Sequence, residues 1–153
     1  MQFLVFHLGK DRYGLSTGRL TRVLPLMELK QLPGAPGYVA GLMNFHGAPV
    51  PVIDLCALSG GDMCAPHFDT RILLVDYRAN EVRHRLGLIV ERVTGVAKID
   101  TAAFTDTDVA MGNAPFLGKV AAEDGSLLQL VDIEHLLTAD ARAILFPAGG
   151  EAS

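Results

Sequence analysis

Apolar positions along this chain recur mainly at a period of two, and glycines and prolines interrupt the pattern at short intervals. Phe3–Leu8 is a run of β-forming residues closed by Gly9-Lys10-Asp11, and Tyr13–Leu15 resumes the pattern, which predicts an opening hairpin. Leu20, Val23 and Leu24 predict a further strand that ends at Pro25. Pro33-Gly34-Ala35-Pro36-Gly37 is too interrupted for helix or sheet and reads as a loop. Tyr38–Phe45, the turn His46-Gly47-Ala48 and the returning Pro49–Ile53 form the densest signal in the chain. Pro49 and Pro51 lack N–H groups at alternate positions, so one side of that strand cannot donate to a ladder and belongs at an edge or bulge.

Asp54 follows as the N-cap of a short helical turn through Leu58, and Ser59–Pro66, with Gly60-Gly61, reads as the boundary between two halves. Strands resume at Ile72–Tyr77, Leu86–Val90 and Val93–Ile99, with a turn near Asn80. Ala102–Ala114 is small, polar and irregular, a loop with room for one helical turn. Phe116–Ala121 and Leu127–Val131 flank Glu123-Asp124-Gly125, where Asp-Gly is a hairpin signal. Asp132 caps a second short helix through Leu137, Thr138 caps a third over Ala139–Phe146 before Pro147, and Gly149–Ser153 frays.

The two halves repeat in order. Phe3–Leu8 corresponds to Ile72–Tyr77, and Gly14-Leu15 with Leu20-Thr21-Arg22-Val23 corresponds to Gly87-Leu88 with Val93-Thr94-Gly95-Val96. Gly41 and Gly47, then Val52-Ile53-Asp54-Leu55, correspond to Gly118 and Gly125, then Leu130-Val131-Asp132-Ile133. Each half supplies roughly five strands, enough to close a small barrel and remove its edges. The expected architecture is all-β: two five-stranded barrels with short capping helices and a C-terminal helix, and a groove between the barrels where a ligand could bind. The first barrel is expected at about residues 14–66 and the second at about 67–131, with the strand over 3–8 and the helical segment 132–146 packing across.

Composition narrows the function. With 153 residues, half of them apolar and 20% charged, the chain can bury a substantial core. A net charge of −4 and the lack of any Lys/Arg run argue against nucleic acid. No run approaches the ~18 apolar residues of a membrane span, and Met1–Leu8 alternates where a signal peptide would have an apolar core. The expectations are therefore a cytoplasmic location and no direct membrane insertion.

Catalysis finds no support. His7, His46, His67, His84 and His135 include no pair at helical metal-ligand spacing, and no P-loop, nucleophile elbow or dinucleotide fingerprint occurs. No metal site and no cofactor are expected. Asp54 and Asp132 are better explained as caps than as an acid/base pair. Cys56 and Cys64 read as small apolar fillers or incidental surface groups, Cys56 as a buried inert thiol. A cysteine-dependent enzyme is the alternative from another class. Asn44-Phe45-His46-Gly47 is the segment least explained by structure: it is either a plain turn, with Phe45 packed inward, or a turn presented to a partner.

Phe3–Gly9, Tyr13-Gly14-Leu15 and Leu32-Pro33-Gly34-Ala35-Pro36 resemble the chemotaxis coupling (CheW-like) family, and Val39–Leu55 is its most specific block. Gly87-Leu88-Ile89-Val90 with Val93, and Leu130–Leu137, fit the second half, so the resemblance runs from about Phe3 to Leu145 as a single domain. It implies two intertwined, SH3-like five-stranded barrels and no enzymatic activity. It also implies an adaptor that bridges the cytoplasmic tip of a chemoreceptor to the C-terminal regulatory domain of a histidine kinase, recruited to membrane receptor arrays. The partner-binding residues it implies are Leu20, Arg22, Val23, Gly41, Asn44, Phe45, His46 and Gly47.

Two positions depart from the family's pattern: His46 stands where an arginine is usual, and Arg22 where a glutamate is usual. The usual carboxylate–guanidinium pair is thereby replaced by two potential cations. A module that has lost receptor coupling and binds only the kinase is the nearest alternative; a domain released from a larger kinase or fusion is another, against which the short termini argue. The segment Leu136–Pro147, with Leu117–Ala121, is most similar to a divergent branch found in Wsp-type surface-sensing arrays, whose output is a diguanylate cyclase.

Overall fold

Residues buried on one face only alternate, whereas residues buried on both faces form continuous apolar runs. The first strand, β1 (Gln2–Leu8), is of the second kind, and the computed structural model shows why. It describes residues 1–60, 62–66, 68–79, 81–105, 116–123 and 125–146. Phe3 and Val5 point from β1 into one core with Ile99, Phe104, Ala121 and Leu128. Leu4, Phe6 and Leu8 point the other way, into a second and larger core.

The chain continues through β2 (Asp11–Ser16), β3 (Leu20–Pro25), β4 (Val39–Phe45), β5 (Ala48–Asp54) and the single-turn helix α1 (Leu55–Leu58). It then forms β6 (Arg71–Ala79), β7 (Val82–Lys98), β8 (Leu117–Glu123), β9 (Ser126–Val131) and the helix α2 (Ala139–Leu145). Short 3-10 turns lie at Thr17–Arg19, Thr101–Ala103 and Ile133–His135. The helix expected from Asp132 through Leu137 is thus reduced to a 3-10 turn. His67, Asn80, Asp124, most of the loop after Phe104 and the expected frayed C-terminus fall outside the described residues.

The strands pair into two five-stranded sets that share one strand. In the first set β1 lies between β2 and the C-terminal part of β7, and β2 runs parallel to β9, which pairs with β8. In the second set β6 lies between β3 and the N-terminal part of β7, which runs parallel to β5, and β5 pairs with β4. The order is the same in both sets once β1 is matched to β6, β2 to the first part of β7, the second part of β7 to β3, β9 to β5 and β8 to β4. These are the blocks that repeat in the sequence.

The sets nevertheless do not follow the halves. The boundary expected near residue 66 is corrected: β1 and β2 complete the sheet of β8 and β9, while β6 and the start of β7 complete the sheet of β3, β4 and β5. The two expected strands, Leu86–Val90 and Val93–Ile99, are also one 17-residue strand. At ~3.3 Å per residue β7 spans roughly 55 Å, too long for one small sheet, so it serves both. It pairs with β6 up to Val90 and with β1 from Glu91, and the residue beyond, Arg92, takes φ 49°.

Gly14 and Gly87 occupy equivalent points on the two parallel pairings, opposite Leu130 and Val52. A Cβ at Gly87 would lie 2.9 Å from Val52 Cγ2, and one at Gly14 would lie 3.3 Å from Leu128 Cδ2. Pro49 and Pro51 sit where β5 pairs with β4 alone, because the parallel pairing to β7 begins at Val52.

The faces of the two central pairs that look away from their own sheets meet each other. Leu4, Phe6, Tyr13 and Leu15 from one set pack with Leu73, Val75, Tyr77, Leu86 and Leu88 from the other. The expected groove between the halves is therefore occupied here by a core, and Leu136, Leu137, Ala141 and Phe146 of the C-terminal segment pack on it. A third core, Met43, Val50, Val52, Ile72, Leu74 and Ile89, fills the second sheet.

Candidate partner-binding surface

The β4–β5 hairpin closes through a two-residue loop, since Phe45 pairs with Ala48. His46 takes φ 52° and Gly47 φ 86°, the two left-handed positions that a tight hairpin turn with the sheet's own twist requires. Histidine is among the few residues enriched there. The Gly47 N–H donates to Asn44 Oδ1 at 2.8 Å, so the Asn44 side chain fixes the turn. The His46 ring meets the edge of Phe45 at 4.4 Å between centroids.

Phe45 is half-buried, with its inner side on the core of the second sheet. Arg22 reaches it from β3, its Cζ 5.9 Å from the ring centroid. Arg85 reaches it from β7 at 5.3 Å. Both distances are within cation–π range. Arg85 has no place among the sequence-derived candidates, although Arg83-His84-Arg85 in a period-two strand puts two guanidinium groups on one face.

The structure brings together Arg22, Asn44, Phe45, His46 and Gly47, and separates the remaining candidates from them. The register between β3 and β6 shifts between Leu20 and Arg22. Leu20 consequently packs toward the core between the sheets, opposite Val75, and Val23 stands opposite Leu73 on that same side, 42% exposed. Gly41 is buried with φ 146°, and a Cβ there would come within 2.5 Å of the Lys30 carbonyl oxygen. That close approach is where Lys30 and Leu42 exchange backbone hydrogen bonds at 2.8 and 2.9 Å, so Gly41 shapes the backbone behind the surface.

Arginines gather around this face and beyond it. Among the described residues, Arg22, Arg78, Arg83 and Arg85 make no ion pair, and Arg19 pairs with Glu134 while donating to the Asp76 carbonyl oxygen at 2.9 Å. Asp76 stands opposite Arg85 in the register of β6 and β7 and is the carboxylate nearest to it along that ladder. An open depression of about 500 Å³ adjoins Arg85, with Pro49 and Pro51 on one wall, Arg83 and His84 on another, and Leu145 and Phe146 at its end.

The second cluster of chemistry-bearing residues is Asp54, Cys56 and Cys64, whose ligand atoms lie within 4.8 Å of one another. Cys56 and Cys64 are joined by a disulfide, with their Cα atoms 5.3 Å apart, which corrects the reading of both as isolated thiols. A separation of eight residues gave no framework to recognise; α1 folds the chain back and brings Cys64 beside Cys56. A disulfide sulfur is neither thiolate nucleophile nor thiolate ligand.

Asp54 is occupied as well: Oδ1 accepts from the Ala57 N–H at 3.1 Å and Oδ2 from the Cys64 N–H at 2.9 Å. Burial pushes its carboxyl above the ordinary 3.8, the N–H donors pull it down, and the nearby Glu91 charge adds to the rise. The equivalent Asp132 accepts from the Glu134 N–H at 3.1 Å and binds His135 Nδ1 at 2.7 Å. Both carboxylates hold chain turns in place, and the cluster is a structural knot between α1 and the following loop.

No helix among the described residues is long and apolar enough to cross a membrane. The family model described as the CheW-like domain matches residues 2–141. Among curated proteins, the chain is 24% identical over 146 residues to a chemotaxis protein CheW of Klebsiella aerogenes, covering 94% of this chain and 86% of that one. It is 28% identical over 101 residues to the protein PilI of Pseudomonas aeruginosa, covering 66% of this chain and 54% of that one. The crystal structure of the scaffolding protein TtCheW from Thermoanaerobacter tengcongensis superposes with a TM-score of 0.81 at 25% identity, over 92% of this chain and 89% of that one.

Proposed function

This chain belongs to the CheW-like domain family, and from that premise we propose that it is a non-catalytic adaptor that couples a chemoreceptor to a histidine kinase in a bacterial chemosensory array. The observation that carries the reading is the match of nearly the whole chain, in fold and in family, to proteins named for chemotaxis and scaffolding. The partners are the cytoplasmic tip of the receptor and the C-terminal regulatory domain of the kinase, and the adaptor works on the cytoplasmic side of the membrane. The surface of β3 and the β4–β5 hairpin, with Arg22, Asn44, Phe45, His46 and Gly47, is assigned to the receptor. Leu20 and Val23, on the other side of β3, border that contact from the neighbouring face.

The cysteine-dependent alternative loses its reagent, because both sulfurs are held in the disulfide. The kinase-only alternative draws on a specific observation, the replacement of the family's glutamate–arginine pair by Arg22 and His46. Isothermal titration of this chain with the full-length cognate kinase, and separately with the cognate receptor in nanodiscs, distinguishes the readings. Binding to both supports the adaptor. Binding to the kinase alone supports the alternative, and no binding to the kinase at tens of micromolar removes both.

A further inference from the structure

We propose that the collar around Phe45 selects its partner by charge, docking an acidic segment of the receptor tip that places an apolar side chain on Phe45 and carboxylates against Arg22 and Arg85. This rests on the adaptor reading above and names the chemistry of its receptor contact.

Phe45 is half-buried, packed against the core of the second sheet and still partly open to solvent. Two guanidinium groups approach that ring from different strands, at 5.9 and 5.3 Å, and both arginines are exposed. Neither guanidinium is within ion-pair distance of a carboxylate among the described residues. Among the described residues, Asp76 is the acidic residue of the β6–β7 ladder, opposite Arg85, while the neighbouring position on the same face pairs Arg78 with Arg83. The chain as a whole carries a net charge of −4, so a cluster of free arginines runs against its average.

An arginine fork matches a carboxylate with two parallel hydrogen bonds, which a neutral or cationic partner cannot use. A partner lysine or arginine would meet uncompensated like charge at this site, so the collar both attracts one class of partner and rejects another. His46 restricts the approach differently: its edge contact with Phe45 and its place in the turn leave the ring beside the docking face. Arg85 also lines the neighbouring depression, together with Arg83 and Pro49, so the collar and that depression share one guanidinium.

The test compares the wild type with Arg22→Glu/Arg85→Glu, and with Arg22→Gln/Arg85→Gln as the milder pair, each checked for folding by thermal melt. Binding is measured to the cognate receptor in nanodiscs and to the full-length cognate kinase, at low and high salt. The expected result is receptor affinity that falls with salt, at least tenfold weaker receptor binding in the Glu pair, a smaller loss in the Gln pair, and kinase affinity unchanged. Receptor binding that ignores salt and both pairs overturns the charge selection while leaving the adaptor reading intact. Equal weakening toward receptor and kinase also overturns it, because the collar would then not be specific to the receptor. If the wild type binds neither partner, the adaptor reading itself fails.

Discussion

Gly87→Ala is the substitution through which the shared architecture of the two sheets can be measured. The new Cβ would meet Val52 Cγ2 at 2.9 Å and Ile72 Cγ2 at 3.2 Å. Both neighbours are β-branched, stiff at χ1 and fully buried, so neither can swing away. Overpacking of this kind costs about 1–3 kcal/mol. Replacing glycine in a strand recovers about 0.5–1 kcal/mol of chain entropy. The net loss is then roughly 0–2.5 kcal/mol, centred on about 1 kcal/mol, a fall in Tm of up to about 10 °C for a domain of this size. At the equivalent Gly14 the nearest atom is Leu128 Cδ2 at 3.3 Å, the tip of a side chain unbranched at Cβ that need give by only a few tenths of an ångström within its own rotamer. There the two terms nearly cancel, and Gly14→Ala falls within about 0.5 kcal/mol of the wild type. The chain has no tryptophan, so urea unfolding followed by far-UV circular dichroism is the suitable assay. Equal losses at the two glycines, or a gain at Gly87, would refute the close parallel packing of β5 on β7.

Three further outcomes follow from the same structure. Reducing the disulfide, or replacing Cys56 and Cys64 by serine, should lower stability by roughly 2.5 kcal/mol through the loop it closes; an unchanged urea midpoint with and without reductant would contradict that. Asp54 holds its proton more tightly in the folded chain than in the unfolded one, so its contribution is present below the ordinary value of 3.8 and declines as pH rises through the raised folded value. Asp54→Asn should flatten that part of the stability–pH curve, and a slope identical to the wild type's would exclude Asp54 as its source. Tyr77 is fully buried, and its hydroxyl has no hydrogen-bond partner among the described residues. Tyr77→Phe, which keeps the stacking on Phe146, should leave stability unchanged or raise it by about 1 kcal/mol; a loss of that size would mean that the hydroxyl is bound.

Much of the fold is legible because its strongest determinants are local. Period-two patterning, the proline-marked edge of β5 and the glycine-bearing hairpin turns lie within single segments. The repeat also survives as sequence, since equivalent glycines and capping aspartates perform equivalent tasks in both sheets. Its allocation to sheets is not legible. β1 and β6 have the same apolar pattern, so nothing local says that β1 and β2 join β8 and β9 while β6 joins β3. The continuity of β7 is hidden for a similar reason: Arg92 and Gly95 resemble a turn, yet the strand runs through them.

At the candidate surface, the turn Asn44–Gly47 can be read from one segment, whereas Arg85 joins it only through the three-strand register of β3, β6 and β7. Two candidates lie on the other side of their strand from Arg22 for different reasons: Val23 because adjacent strand residues alternate faces, and Leu20 because the one-residue register shift between it and Arg22 reverses the face it would otherwise share.

Retention of the kinase by the receptor tests the central claim most directly. Full-length cognate kinase is incubated with the cognate receptor in nanodiscs while the concentration of this chain is raised, and the kinase that co-sediments with receptor is measured. An adaptor predicts little retained kinase without the chain and saturable retention as it is added. Retention that is already complete without the chain, or absent at every concentration of it, would contradict a coupling role.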